Sequence, residues 1–146
     1  MKKFTSRNSE YFSTLENEVY RALQHLPPLF RVSHNTNPVQ HVGGHSGEPF
    51  SYRPDFEVRD DHDYRLLIEL KSEHAMSLQN MVKLKEIDNT IRHKQKSALL
   101  ILVWTRDISR ARYSSMPEFE ALNIVPFQYS SDIESIIINA FDNFFR

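Results

Sequence analysis

Asp55, Glu69 and Lys71 are the residues whose types and spacing suit chemistry. Asp55 lies in Arg53-Pro54-Asp55-Phe56-Glu57-Val58, and the other two close the run Tyr64-Arg65-Leu66-Leu67-Ile68-Glu69-Leu70-Lys71. Both runs read as strands. Pro54 fixes its own φ and lacks an N–H, which suits the first residue of a strand. Asp60-Asp61-His62-Asp63 is a turn-prone break between them, so the pair is expected to be a β-hairpin. Side chains alternate along a strand, so Glu69 and Lys71 share a face with Leu67, and Leu66, Ile68 and Leu70 take the other. A register that sets Asp55 opposite them gathers two carboxylates and an ammonium at one strand end. That set suits metal-assisted hydrolysis of a phosphodiester. Carboxylates are hard oxygen ligands for Mg²⁺, which lowers the pKa of water and neutralises phosphate charge. A lysine beside them orients or deprotonates the attacking water, or stabilises the charge that develops.

Pro54-Asp55 followed by Glu69-Leu70-Lys71 resembles the PD-(D/E)xK nuclease superfamily. The resemblance covers roughly Glu16 to Trp104. It implies a restriction-endonuclease-like α/β fold, a mixed β-sheet flanked by helices in the order α-β-β-β-α-β, here followed by a further strand and helix. It implies Mg²⁺ or Mn²⁺ as cofactor, held by Asp55, Glu69 and Leu70, and a 5′-phosphate product. In the superfamily a glutamate of the first helix often joins the metal site. The spacing around Glu16 resembles that helix in archaeal Holliday-junction resolvases and in the endonuclease subunit of cut-and-paste transposons. Glu16 is thus a fourth candidate, its other readings being the partner of Ser13 in a capping box or simple exposure.

The elements that must position these residues are legible from periodicity. From Ser9 to Leu26, Phe12, Leu15, Val19, Ala22, Leu23 and Leu26 recur at helical steps, and Pro27-Pro28 stops the helix. Leu29 to Ser33 is expected to be the first strand. His34 to Tyr52 holds all three glycines with His34, His41 and His45, and is read as a loop beside the hairpin. Zinc there is disfavoured: Gly43-Gly44 breaks a helix and no cysteine exists to complete a structural site. After a connector, Leu78 to about Lys96 is expected to be a helix with Leu78, Met81, Leu84, Ile87, Asp88 and Ile91 near one side. Ala98 to Trp104 is uniformly apolar, as expected of a central strand parallel to Tyr64–Lys71. A short helix over Glu118–Leu122 and an edge strand over Asn123–Phe127 follow. The last helix opens on a Ser131-x-x-Glu134 capping box, with Ile138 and Phe145 marking either a dimer contact or a wider core.

A chain of 146 residues fits one domain, 1–146, with a sizeable core. The absence of cysteine excludes disulfides, thiolate metal sites and a cysteine nucleophile. No run of about 18 apolar residues exists, so a soluble cytoplasmic protein without a membrane partner is expected. The net charge of −1 argues against a generic nucleic-acid coat. It conceals a basic region: Lys83, Lys85, Arg92, Lys94, Lys96, Arg106, Arg110 and Arg112 outnumber Glu86, Asp88 and Asp107. Gln79, Lys83, Arg92, Lys94, Lys96 and Arg106 are the candidates for DNA contact. The leading expectation is an Mg²⁺-dependent endodeoxyribonuclease, its partners DNA and either a second copy or a partner subunit. The alternative is a DNA-binding or assembly module with this fold, inactive alone or activated by a partner subunit. An RNA-directed or nucleotide-hydrolysing enzyme is a third. No phosphate-cradling glycine loop followed by Lys-Ser/Thr is present.

Overall fold

The computed structural model describes residues 7–34, 39–42, 49–92, 96–110 and 122–146. The elements in order are α1 (Arg7–Leu23), β1 (Arg31–His34), β2 (Val39–Val42), β3 (Pro49–Tyr52), β4 (Phe56–Arg59), β5 (Arg65–Ser72), α2 (Leu78–Arg92), β6 (Ser97–Trp104), β7 (Ile124–Phe127) and α3 (Ile133–Phe145). Short 3₁₀ turns cover Glu73–Ala75, Ile108–Arg110 and Ser130–Asp132. Five strands form one mixed sheet in the order β1-β4-β5-β6-β7. β1, β4 and β5 are antiparallel neighbours, and β6 and β7 run parallel to β5. A mixed sheet flanked by helices is the expected architecture, consistent with a restriction-endonuclease-like fold.

Alternation along β5 and β6 divides the core between the two faces of the sheet. Leu66, Ile68, Leu70, Leu100 and Leu102 pack with Leu15, Val19 and Leu23 of α1 and Ile133, Ile137 and Phe141 of α3. Leu67, Leu99, Ile101 and Val103 pack with Met81, Leu84, Ile87 and Ile91 of α2. Both faces are covered, which explains why β6 reads as an unbroken apolar run. Each of these side chains contributes about 1.5–3 kcal/mol by leaving water.

The hairpin forms as expected, and its register sets Phe56 against Ile68 and Val58 against Leu66. Its turn is built by buried Asp60, whose Oδ1 accepts the N–H groups of His62 (3.0 Å) and Tyr64 (2.9 Å). Asp63 takes φ 66°, a conformation that aspartate tolerates better than branched residues.

Several expectations shift. The first helix starts before Ser9 and ends at Leu23, where the chain passes into turns as far as Leu26. Ser13 therefore lies inside α1 and does not open it. The first strand is Arg31–His34, starting two residues and ending one residue later than expected. The region between His34 and Tyr52 is not simply a loop: Val39–Val42 pairs antiparallel with Pro49–Tyr52 as a separate two-stranded sheet. Gly43, Gly44, His45 and Gly47 lie outside the described residues, as does most of Glu118–Leu122. Leu78 is 52% exposed and leaves the buried stripe, because the stripe repeats through Met81, Leu84, Ile87 and Ile91 and Leu78 stands off its axis. The N-cap of α3 is Asp132, with no side-chain cap hydrogen bond, because a 3₁₀ turn over Ser130–Asp132 takes up Ser131. Ile138 and Phe145 pack against the α1 and α3 core.

Candidate active site

The candidate residues meet where β5 ends and β4 begins. Asp55 continues the hairpin ladder by one residue, its N–H donating to the Ile68 carbonyl at 3.0 Å, which sets it beside Glu69. Its Oδ2 accepts the Leu70 N–H at 2.8 Å. Glu69 and Lys71 share the α2 face of β5 with Leu67, as alternation requires. Lys71 Nζ lies 3.2 Å from Glu69 Oε2. The other oxygen, Oε1, accepts a 2.6 Å hydrogen bond from the Tyr52 hydroxyl. Tyr52 closes β3 and its ring packs on the cluster beneath α2.

Electrostatics mark the same point. The Asp55 carboxyl is pushed up to about 7, first by burial and next by the charge of Glu69. The Leu70 N–H and Lys71 pull it down, and Glu16 adds to the upward push. Burial, reinforced by Glu69 and then Asp55, drives the Tyr52 hydroxyl far above the ordinary phenol range, so it stays a donor.

Glu16 projects from α1 toward the start of β4, close enough for its charge to be felt at Asp55. Its Oε2 accepts from His34 Nε2 at 2.8 Å. The His34 ring is held by stacking on Phe56, with centroids 4.9 Å apart, and by Tyr20 at 4.8 Å. Among the described residues no group of three or more His, Asp or Glu side chains is placed to hold a metal ion. The centre as it stands is therefore Asp55 with Glu69. Leu70 has only its main chain to offer, since its alkyl side chain is buried in the α1 face of the core.

The candidate DNA contacts fall at two ends of the molecule. Gln79 and Lys83 lie in the first turns of α2, just beyond the end of β5, and Arg106 lies just beyond the end of β6; all three are exposed. Lys96 precedes β6 and accepts the Arg65 N–H through its carbonyl at 2.7 Å, which places it at the opposite end of the sheet. Six residues of strand separate that end from Lys71, about 20 Å. Arg92 ends α2 and returns to the same far end, because a helix between parallel strands runs back along the sheet. Lys94 lies outside the described residues.

Tyr52 escapes sequence reasoning, because its contact with Glu69 crosses 17 residues and no motif marks it. The one available signal is its place in Tyr52-Arg53-Pro54-Asp55, three residues before the candidate aspartate. Thr105, fully buried after β6, donates to Glu73 Oε1 just past Lys71, a polar link between the ends of β5 and β6.

A hard divalent cation fits this donor set. Two carboxylates crowd together, one of them costly to ionise beside the other, and Asp55 Oδ1 accepts no hydrogen bond among the described residues.

Compared with solved structures, the chain is similar to a repair endonuclease from Pyrococcus abyssi, with 13% sequence identity and a TM-score of 0.41. The match covers 88% of this chain and 50% of that one, so the chain spans about half of its length. No family model and no curated protein matches the chain. Among the described residues no helix is long and apolar enough to cross a membrane.

Proposed function

We propose that the chain is a metal-dependent endodeoxyribonuclease whose working residues are Asp55, Glu69 and Lys71. The observation that carries this reading is the convergence of the two carboxylates, with Asp55 pushed up to about 7, beside an ammonium 3.2 Å from Glu69. Asp55, Glu69 and the Leu70 carbonyl would hold Mg²⁺ or Mn²⁺, with Glu16 released from His34 as a further ligand. When bound, such an ion lowers the pKa of water and neutralises charge on the phosphate.

The chain's own residues do the rest. The Leu70 N–H holds Asp55 Oδ2 and so aims Oδ1 away from the strand. Lys71 sets a positive charge where negative charge gathers as water attacks phosphorus, stabilisation that is strongest for groups fixed in advance. A P–O bond forms to the water oxygen, the bond to the 3′ oxygen breaks, and the products are a 5′-phosphate and a 3′-hydroxyl. Gln79, Lys83 and Arg106 hold the backbone against this end of the sheet.

The test is incubation of the purified protein with supercoiled plasmid, branched DNA, single-stranded DNA and RNA, each with Mg²⁺, Mn²⁺ or chelator. DNA cleavage that needs the metal is expected, with Lys71→Ala and Asp55→Ala each at least ~100-fold slower. Cleavage that survives both substitutions sinks the assignment. DNA binding without cleavage on any substrate replaces it with a partner-activated assembly module.

A further inference from the structure

We infer that Tyr52 is a positioning residue of this site: its hydroxyl fixes the Glu69 carboxylate in the orientation that holds a divalent cation. The inference rests on the metal-site reading of Asp55 and Glu69.

Three observations carry it. The O–H···Oε1 distance of 2.6 Å is that of a charge-assisted bond, shorter than a neutral one. With Lys71 on Oε2, each oxygen of Glu69 has its own partner, so the carboxylate cannot rotate without breaking one of them. The phenol is itself anchored, its ring packed on the cluster that includes Leu67 and Met81. A loose side chain could not orient another.

The chemistry of the partner matters as well. A lysine or arginine in place of Tyr52 would orient Glu69 but add a positive charge that repels the cation. A phenol orients without charge. A carboxylate oxygen also has more than one acceptor position, so a bond from Tyr52 leaves Oε1 able to coordinate. The arrangement further explains the link Arg53-Pro54. Proline stiffens the connection between Tyr52 and Asp55, so one short segment delivers both the aspartate and the residue that orients its companion.

Tyr52→Phe removes one oxygen and keeps the ring. Mn²⁺ binding to the metal-free protein, without DNA, would be followed by calorimetry or by the spin resonance of free Mn²⁺. Glu69→Gln, Asp55→Asn and the double variant Tyr52→Phe/Glu69→Gln would be measured alongside. Tyr52→Phe is expected to weaken Mn²⁺ binding about tenfold, as loss of a bond to a ligating carboxylate does. In the Glu69→Gln background the same change is expected to weaken it no further. Binding by Tyr52→Phe equal to the wild type overturns the inference. So does an equal loss in both backgrounds, which marks damage to the fold. If Asp55→Asn and Glu69→Gln both bind Mn²⁺ as the wild type does, the metal-site reading itself fails and Tyr52 falls with it. If those two lose binding while Tyr52→Phe does not, only the role of Tyr52 fails.

Discussion

Asp55 sits in an environment unlike that of a surface carboxylate, and the difference is measurable without any substrate. A carboxyl held above its unfolded value contributes stability while it carries its proton. That contribution is complete below about pH 4 and is lost as the pH rises through about 7. The displacement from 3.8 to about 7 is worth roughly 4 kcal/mol at about 1.4 kcal/mol per pH unit. Metal-free protein is therefore expected to melt lower at pH 8 than at pH 5, and Asp55→Asn to raise the pH 8 melting temperature by roughly 5 °C or more. An Asp55→Asn protein that melts as the wild type does at pH 8 contradicts the geometry around this carboxyl. The same titration makes protons compete with cations, so apparent Mg²⁺ affinity should fall toward tenfold per pH unit below about 7. Glu16 enters the same sum. Its charge raises Asp55 by less than that of Glu69 does, so Glu16→Gln should move the acid limb of that Mg²⁺ profile to lower pH, by less than Glu69→Gln moves the proton affinity of Asp55 in NMR titration.

At the scale of elements, the hairpin that delivers Asp55 is tied at its far end by a charge cluster. Glu57 is only 7% exposed and accepts from Arg65 at 2.9 Å and from Arg59 at 2.9 and 3.3 Å. Burial alone would raise its pKa, but the two guanidiniums hold it below the usual carboxylate range. Its stabilisation is thus present at neutral pH and lost as pH falls through that lowered value, the opposite sense to Asp55. Glu57→Ala is expected to cost about 1.5–3 kcal/mol in urea unfolding at pH 7, since it takes the carboxylate from Arg65, whose Nε already lacks a partner, and leaves Arg59 with Asp63 alone. A loss below 0.5 kcal/mol, within the range of ordinary surface changes, would mean that the turn at Asp60 holds the hairpin alone. This hairpin was legible in the sequence because its signals are local: a proline at its entry, aspartates in its turn, and an apolar run of strand length in β5. The placement of Asp55 beside Glu69 needed the register as well, which the sequence left open and the structure supplies. The sheet of β2 and β3 was not legible, because glycine and histidine clusters carry no strand signal and the pairing brings Val39 to Tyr52 across the intervening chain. Tyr52 was hidden for the same reason. Its role depends on where the strand that it ends is laid, and nothing in its neighbours encodes that.

Over the whole molecule, a net charge of −1 is distributed unevenly between the two ends of the sheet. At the end away from Asp55, cations are consumed within the fold. Arg59 binds Glu57 and Asp63, Arg146 binds Asp142 and lies 3.6 Å from buried Asp60, and Lys96 Nζ donates to the His62 carbonyl at 3.2 Å. Lys96 also lies 5.6 Å from the centre of the Tyr64 ring. At the end where Asp55, Glu69 and Lys71 meet, Lys83 and Arg106 extend into solvent from two different elements. On the proposed reading a DNA backbone crossing the candidate site would meet these two first, and the basic stretch legible in the sequence would divide into a part that faces the site and a part paired within the fold. Each phosphate contact contributes about 0.9 to the slope of log affinity against log salt. In fluorescence anisotropy with a short duplex between ~50 and ~200 mM salt, Lys83→Ala and Arg106→Ala should each flatten the slope by about 0.9 and weaken binding. Lys96→Ala should leave the slope unchanged while lowering the melting temperature slightly, through loss of its contacts to His62 and Tyr64. Equal slope changes for Lys83→Ala and Lys96→Ala would place the strand along the full length of α2, away from a path confined to the Asp55 end, and would separate most of the bound backbone from the residues proposed to cut it.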